Sequence, residues 1–273
     1  MEREQIRISV RNLVEFILRS GDIDNRRASL DTMEAMQAGS RLHRKIQKKM
    51  GSTYHAEVPL NIIIEEENYE LGIWGRADGI IIEETVTIDE IKGVYLSLDL
   101  LEEPVKVHLA QAKCYAYIYG IQNDLQKINV QMTYGNLDTG DLKYFSYEYS
   151  MQQLQEWFSD LILKYKKWAD FQYEWRKKRQ ASIKELAFPF PYREGQKELA
   201  AGVYRTIARK KNLFIQAPTG VGKTISTLYP AIKAVGEGLG DKIFYLTAKT
   251  VTANVAKETL GILCEKGYRA KSV

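Results

Sequence analysis

Residues 213–224, LFIQAPTGVGKT, constrain the fold of this chain more than any other stretch. An apolar run with strand character leads into two glycines and then into residues that can begin a helix. Because strand, loop, helix and strand alternate here, residues 188–273 are predicted to form an α/β domain with a parallel, doubly wound sheet. The predicted elements are helices at 194–209, 223–236 and 250–265, and strands at 212–216 and 242–247.

The glycine loop fits the pattern of a phosphate-binding loop, with Ala217 in the place of the usual first glycine. Gly220 and Gly222 let backbone N–H groups converge on phosphate oxygens, and the following helix adds its positive end. Lys223 can reach the β and γ phosphates, and the Thr224 hydroxyl can bind Mg²⁺. The alternative is a glycine-rich turn that binds nothing. The predicted nucleotide-binding residues of the loop are Thr219, Gly220, Val221, Gly222, Lys223 and Thr224.

The motif PYREGQ, residues 191–196, adds a second nucleotide feature upstream of the loop. The Gln196 amide can pair with both the donor and the acceptor edge of adenine, and the Tyr192 ring can stack on the base. Together with YLTAKT, residues 245–250, these motifs resemble the opening of a superfamily 2 DNA helicase of the XPD/DinG-like branch. The resemblance covers residues 188–273.

This resemblance implies ATP-driven translocation on single-stranded DNA, with Thr247 and Lys249 near the DNA path. A complete motor of this kind also needs a downstream acid pair and a second RecA-like lobe with an arginine finger, and the sequence contains neither. The resemblance implies that the cysteines of that branch's iron–sulfur cluster would fall later in the chain, and Cys264 alone cannot hold a cluster. The chain is therefore expected to be the N-terminal part of a truncated motor, which binds ATP but does not hydrolyse it usefully.

Residues 1–183 mix strand-like alternation with amphipathic helical stretches. The two prolines of FPFPY, residues 188–192, break the long helix that precedes them. Two domains are therefore predicted: 1–183, which ends in a linker helix, and 184–273, the first part of a RecA-like ATP-binding domain. The predicted elements of the first domain are helices at 8–20, 31–49, 104–120 and 150–181, and strands at 54–66, 70–83, 86–94, 126–135 and 142–149.

The strand TIDEIKG, residues 87–93, carries charges that a half-buried strand does not tolerate unless they are paired or bind a metal. Glu90 and Lys92 are two residues apart and so project from the same face, whereas Asp89 points to the other face. Asp78 ends the preceding strand, and two converging carboxylates form a hard-oxygen site suited to Mg²⁺ or Mn²⁺. The alternative is a salt bridge between strands on the surface.

Four motifs follow one another in this part of the chain: G-x-x-x-H ending at His43, G-x-x-D ending at Asp78, E-x-K at residues 90–92, and Q-x-x-x-Y at residues 111–115. In this order they resemble the RecB-like branch of the PD-(D/E)XK nucleases, over roughly residues 1–150. The resemblance implies a central mixed sheet flanked by helices, and cleavage of DNA by metal-activated water.

The same resemblance implies a role for each matching residue. His43, Asp78 and Glu90 would bind the metal, together with the backbone carbonyl of Ile91, and Lys92 would act as base or charge stabiliser. The two residues expected to contact DNA or to brace the site are Gln111 and Tyr115. Taken alone, His43 is also compatible with an ordinary helix histidine.

The distribution of charge suits a phosphodiester substrate that also needs a metal, and on its own it is also compatible with ordinary solvated faces. Residues 51–100 contain only Arg76 and Lys92 as bases among many acids, whereas residues 161–184 and 201–273 are basic. The sequence has no apolar run that could cross a bilayer and no secretory signal, so a cytoplasmic protein without membrane contact is expected.

The sequence thus predicts the N-terminal part of an ATP-dependent DNA helicase fused to a metal-dependent DNA nuclease. Its expected cofactors are ATP and Mg²⁺ or Mn²⁺, and its expected partner is single-stranded DNA. Two alternatives remain: an inactive DNA-binding module attached to a motor, and a phosphate-loop ATPase that acts on something other than nucleic acid.

Overall fold

A computed structural model describes the chain except for a few short stretches. The described residues are 3–20, 31–218, 220–248 and 250–272, with the side chains of 31–33 and 251 left aside. The chain divides into two compact units, Met1–Asp170 and Phe171–Val273. The division falls inside one long helix, and the predicted boundary after residue 183 stays a prediction.

The first unit is a mixed α/β fold whose helices flank a six-stranded mixed sheet among the described residues. Its strands are β1 (Glu4–Ser9), β2 (Tyr54–Glu65), β3 (Tyr69–Ile81), β4 (Thr87–Val94), β5 (Lys127–Asn136) and β6 (Leu142–Ser150). Its helices are α1 (Val10–Ile17), α2 (Asp31–Gln47), α3 (Lys106–Gln122) and the first part of α4 (Met151–Lys184). The predicted central mixed sheet is therefore confirmed at this level.

The pairing of β3 leaves a gap along one edge of that strand. β2 runs antiparallel to β3 along almost its whole length. β1 and β4 must therefore share the other edge, where β1 pairs in parallel with Tyr69–Trp74 and β4 pairs antiparallel with Gly79–Ile81. Residues 75–78 of β3 have neither neighbour in these pairings. Backbone groups of β3 at this gap therefore have no strand partner on that edge, and other groups of the protein can bind there.

Helices α3 and α2 cover opposite faces of the sheet near that gap. Lys92 of β4 reaches Gln111 of α3, whereas Ile91, which points the other way, packs in a cluster with Leu42 and Ile46 of α2. Beyond this region, β4 pairs in parallel with β5, and β5 pairs antiparallel with β6. The alternation along β4 therefore separates an α3 side from an α2 side.

The side chains of β3 change from one side of the sheet to the other part-way along the strand. Gly75 and Gly79 are four residues apart, so they would face the same side of a regular strand. A side chain at Gly75 would nevertheless meet the Tyr115 hydroxyl on the α3 side. At Gly79 it would meet the ring of Tyr54, whose hydroxyl contacts Asp89 on the α2 side. The exchange therefore takes place between the two glycines.

The predicted helix at 8–20 is wrong in its first residues. Glu4–Ser9 form a strand, and α1 begins at Val10 with Ser9 as its N-cap, whose hydroxyl accepts a hydrogen bond from the Asn12 N–H at 3.2 Å. The apolar spacing of this stretch suits either structure. The parallel pairing with β3, more than sixty residues away, decides the outcome.

The described residues of the second unit form the predicted helices but not the predicted sheet. Its helices after α4 are α5 (Gln196–Ala208), α6 (Lys223–Gly236) and α7 (Thr250–Glu265). The end of α4, helices α6 and α7 and the residues that follow α4 and α7 form a small core of Ile183, Leu186, Ile225, Ile232, Val235, Leu263 and Tyr268.

The strands predicted at 212–216 and 242–247 are wrong for the described residues, which have no strand there. Phe214 is 97% exposed and Leu246 is 88% exposed. A strand requires a hydrogen-bonded neighbour, and within the described part of this unit neither stretch has one. Among the described helices of the whole chain, none is both long enough and apolar enough to cross a bilayer.

Candidate active site

Asp78 lies in the gap of the sheet, where β3 and β4 separate. The two strands pair only at Gly79–Ile81, and one oxygen of the Asp78 carboxylate then accepts the Ile91 N–H at 2.8 Å. This hydrogen bond replaces the next rung of the ladder and fixes the direction of the carboxylate. The Ile91 backbone is therefore part of the site through its N–H, and metal binding by its carbonyl stays a prediction.

Glu90 and Lys92 form a close ion pair on the α3 side. Their Oε1 and Nζ atoms are 2.7 Å apart, and the side chains are 1% and 22% exposed, respectively. Gln111 accepts a second hydrogen bond from the Lys92 ammonium at 3.3 Å. The pair is thus largely buried, which argues against the surface salt bridge that the sequence left open.

The second carboxylate oxygen of Glu90 has no hydrogen-bond partner, although it is fully buried. Burial is the main cause that raises the pKa of Glu90 to about 8, the nearby Asp78 charge adds to it, and Lys92 opposes it. A buried carboxylate oxygen without a partner is costly. A cation at this oxygen would remove that cost.

Helix α2 brings two side chains to the other side of Asp78. His43 Nδ1 lies 3.4 Å from the second Asp78 oxygen. One turn later, the Gln47 amide donates to the Asp78 carbonyl at 3.0 Å and to the Glu57 carboxylate at 3.1 Å. His43, Glu57 and Asp78 each place one potential ligand atom within 4.8 Å of the others. Imidazole and carboxylate groups in this arrangement suit a divalent cation.

Tyr115 is buried and braces the site from α3. It is 3% exposed and lies over Gly75, where any side chain would collide with its hydroxyl. Burial is the largest cause that raises the pKa of this phenol. Hydrogen bonds that its oxygen accepts from the Gln111 side chain and from the Arg76 backbone lower this pKa. Of the two roles predicted for Tyr115, its burial supports bracing.

Asp89 points to the α2 side, as the alternation predicts. Its carboxylate accepts hydrogen bonds from Tyr54 at 3.0 Å, from Gln131 at 3.3 Å and from Thr133. Burial raises its pKa, and these three donors lower it. Asp89 therefore ties β2, β4 and β5 together with no oxygen directed to the α3 side.

In the second unit, the Lys223 ammonium contacts described backbone groups of the glycine loop. Gly220 and Gly222 have φ angles of +84° and +74°, which only glycine adopts without strain. Gly222 is the N-cap of α6, and the Lys223 ammonium donates to the Ala217 and Pro218 carbonyls at 2.8 and 2.6 Å. Lys223 thus lies within the curve of the loop, where a phosphate group would offer better acceptors.

Gln196 connects α5 to this loop. It is 5% exposed; its amide nitrogen donates to the Val221 carbonyl at 3.2 Å, and its oxygen accepts the Arg193 N–H at 3.0 Å. Both ends of the amide are therefore engaged within the protein, and its contact with adenine stays a prediction. Tyr192 stacks on Phe188 with ring centroids 4.1 Å apart.

The remaining predicted residues are located only in part. Thr224 lies in the first turn of α6, and Thr247 lies two residues beyond Tyr245 in a stretch before α7 that is neither helix nor strand. Thr219 and Lys249 lie outside the described residues. The predicted roles of Thr224, Thr247 and these two residues stay predictions.

Three residues of the site were not found from the sequence: Glu57, Gln47 and Arg76. Gln47 lies four residues after His43, which puts both on one face of α2, so helical spacing could have suggested it. Glu57 and Arg76 lie on neighbouring strands, and their 2.6 Å ion pair depends on the register of β2 against β3. No local pattern reveals that register.

The chain matches no protein-family model. Over 51 residues it is 51% identical to a protein of Methanocaldococcus jannaschii named as a probable ATP-dependent helicase, and this match covers 18% of the chain and 8% of that protein. The chain thus matches only a small part of that relative's length. Among solved structures, it is similar to the crystal structure of SSO0001, at 20% identity and a TM-score of 0.39, over 60% of this chain and 78% of that one.

Proposed function

We propose that the first unit is a metal-dependent DNA nuclease of the RecB-like PD-(D/E)XK type and that the second unit is an ATP-binding segment of an XPD/DinG-like helicase motor. The observation that carries the nuclease proposal is the buried oxygen of Glu90 that has no partner, next to Asp78 and paired through its other oxygen with Lys92. This arrangement fits the predicted ligands His43, Asp78 and Glu90 and the predicted catalytic lysine.

A divalent cation held by these residues would supply Lewis acidity and lower the pKa of a water molecule bound to it. The protein's own groups then have distinct tasks. Asp78 is fixed by the Ile91 N–H, so its other oxygen keeps a constant direction toward His43. Lys92 is held by Glu90 and Gln111, so its ammonium can stabilise negative charge that develops on a phosphate oxygen.

The second unit supports nucleotide binding through its loop geometry. Two left-handed glycines, the N-terminus of α6 and the Lys223 ammonium converge on one small region of backbone. The partial match to a probable ATP-dependent helicase supports the same proposal. In the intact protein the motor would move single-stranded DNA, and the nuclease would cleave it.

The test is cleavage of end-labelled single-stranded DNA with Mn²⁺ or Mg²⁺ and without ATP. The variants are Lys92→Ala, Lys223→Ala and the matched lysine control Lys127→Ala, whose side chain forms an exposed ion pair with Glu148. We expect Lys92→Ala to lose at least about 100-fold in rate, which is typical for the loss of a charge stabiliser or general base. The other two variants should cleave like the wild type.

If none of the proteins cleaves DNA while all still bind it, the first unit is a DNA-gripping module and the nuclease proposal is wrong. Binding that weakens steeply with salt would show that the partner is a nucleic acid. No DNA binding at low salt would instead favour an ATPase that acts on another substrate.

A further inference from the structure

We propose that Glu57 is an additional ligand of the cation in the first unit, and that Arg76 occupies this carboxylate until the cation displaces it. The inference deepens the proposed nuclease site and rests on it. It concerns a residue outside all four sequence motifs, contributed by β2 rather than by β3, β4 or α2.

The backbone at Glu57 is the first argument. Glu57 has φ +57°, a left-handed conformation that is uncommon for a residue other than glycine and costs free energy. Its neighbours Ala56 and Val58 pair regularly with Gly79 and Ala77, so the irregularity is confined to the position opposite Asp78. The strain thus falls where the two strands exchange faces, beside the Asp78 carboxylate.

The direction of the side chain is the second argument. The Glu57 carboxylate accepts the Gln47 amide at 3.1 Å, and the same amide nitrogen donates to the Asp78 carbonyl at 3.0 Å. Gln47 therefore holds Glu57 close to Asp78. Ligand atoms of Glu57, Asp78 and His43 consequently lie within 4.8 Å of one another, a spacing that one cation can bridge.

The orphan oxygen of Glu90 is an independent observation that points to a ligand. This side chain is 1% exposed, its second oxygen has no hydrogen-bond partner, and its charge interacts with that of Asp78. A fully buried carboxylate oxygen is stabilised by a donor or by a cation. The Asp78 carboxylate thus has two further carboxylates near it, Glu90 and Glu57.

Arg76 supplies the positive charge at Glu57 when no cation is present. Its Nε lies 2.6 Å from the Glu57 carboxylate, and the two side chains are 66% and 40% exposed. An ion pair with this exposure is weak, so a divalent cation that binds several ligands can replace it. Removal of Arg76 should therefore strengthen cation binding, whereas removal of the Glu57 carboxylate should weaken it.

The experiment is titration of the full chain with Mn²⁺, followed by isothermal calorimetry, without DNA. The variants are Glu57→Gln and Arg76→Gln. The matched controls are Glu65→Gln and Arg3→Gln, which break a similar exposed ion pair at the other end of β2. We expect the Kd to rise about 10-fold in Glu57→Gln and to fall about 3-fold in Arg76→Gln, and to stay unchanged in both controls.

Glu57→Gly provides a second variant, because glycine adopts the left-handed backbone without strain. It should remain folded and lose Mn²⁺ affinity like Glu57→Gln. The inference is wrong if either Glu57 variant binds Mn²⁺ within 2-fold of the wild type, if Arg76→Gln weakens binding, or if the wild type does not bind Mn²⁺. If the Kd values for Mn²⁺ change as expected in these variants but the protein cleaves no DNA, this inference is supported and the nuclease proposal is contradicted.

Discussion

The two units build their candidate sites from different kinds of structure. In the first unit, Asp78, Glu90 and Lys92 belong to paired strands, and their positions depend on the register of β3 against β4. In the second unit, the described candidates Gly220 to Thr224 are consecutive, at the end of the glycine loop and in the first turn of α6, and their positions depend on local backbone geometry. One site is set by long-range pairing, whereas the other is set by short-range conformation.

This difference explains why strand-like sequence patterns correspond to strands in the first unit but not in the described residues of the second unit. The strands predicted in the first unit form because each finds a neighbour within that unit. The strand-like stretches of the second unit form no strand among the described residues, yet the glycine loop and α6 are present. The glycine-loop pattern and the start of α6 can therefore be predicted even though the described residues around them form no sheet.

The largest expected effect is in the first unit. Gly79→Ala would place a methyl group inside the Tyr54 ring and break the hydrogen bond from Tyr54 to Asp89. We expect a loss of about 3 kcal/mol in the free energy of unfolding of this unit, in the range of overpacked sites. Urea unfolding followed by circular dichroism measures it.

Gly51→Ala is the control for this prediction, because nothing lies within 4 Å of its added methyl group. It should change the unfolding free energy by no more than about 0.5 kcal/mol. Equal effects of the two substitutions would show that the Tyr54 contact does not hold the strands in register.

A smaller effect is expected at Asp89. In the wild type, Tyr54, Gln131 and Thr133 all donate hydrogen bonds to the Asp89 carboxylate. Asp89→Asn replaces one of the two accepting oxygens by an NH₂ group, which is itself a donor, so at least one of the three donors loses its acceptor. The expected loss is about 2 kcal/mol in unfolding free energy. Asp138→Asn, at an exposed position, is the control, and a neutral Asp89→Asn would contradict this description of the buried network.

In the second unit, the prediction concerns binding rather than stability. Lys223→Ala should weaken binding of a fluorescent ATP analogue about 10-fold, which corresponds to about 1.4 kcal/mol. The reason is that the variant lacks the ammonium group predicted to contact the phosphates. The unfolding of the first unit should not change. Lys257→Ala, an exposed substitution on α7, is the control. Equal affinities of the three proteins would favour a glycine turn that binds no nucleotide.

The smallest expected effect is a pH dependence from His108. Its Nδ1 lies 3.1 Å from the Tyr134 hydroxyl. The oxygen of this hydroxyl accepts the Val105 N–H, so its O–H can donate a hydrogen bond to Nδ1 of a neutral imidazole. Burial is the main cause that lowers the pKa of His108 to about 4, and the charges of Lys92 and Arg11 add to it, against that of Glu15.

Because the unfolded chain takes up this proton at higher pH than the folded chain does, His108 reduces stability as the pH falls from about 6.5 to about 4. His108→Gln should diminish this acid loss by about 1 kcal/mol, since the site is partly exposed. Unfolding midpoints at pH 7.5 and pH 5 test it, with exposed His55→Gln as the control. An unchanged slope in His108→Gln would contradict the assignment.

Much of the candidate site in the first unit was predictable because its motifs are local. The two-residue spacing of Glu90 and Lys92 puts them on one face of β4, and the four-residue spacing of Gln111 and Tyr115 puts them on one face of α3. The meeting of Lys92 with Gln111 follows from packing between these elements. In contrast, the last two residues of β1, Ile8 and Ser9, were predicted as helix, because an apolar pattern of a few residues suits both structures.

The sequence by itself determined which residues are candidates for the chemistry: the E-x-K strand, the aspartate before it, and the glycine loop with its lysine. Alternation and glycine conformations are properties of neighbouring residues, so a single chain encodes them directly. Only the tertiary structure decided that Glu90 is buried with one unpartnered oxygen, that Asp78 occupies a gap in the sheet, and that Glu57 lies beside it. These facts depend on which strands pair and in which register, and no local stretch of sequence specifies the pairing of distant strands.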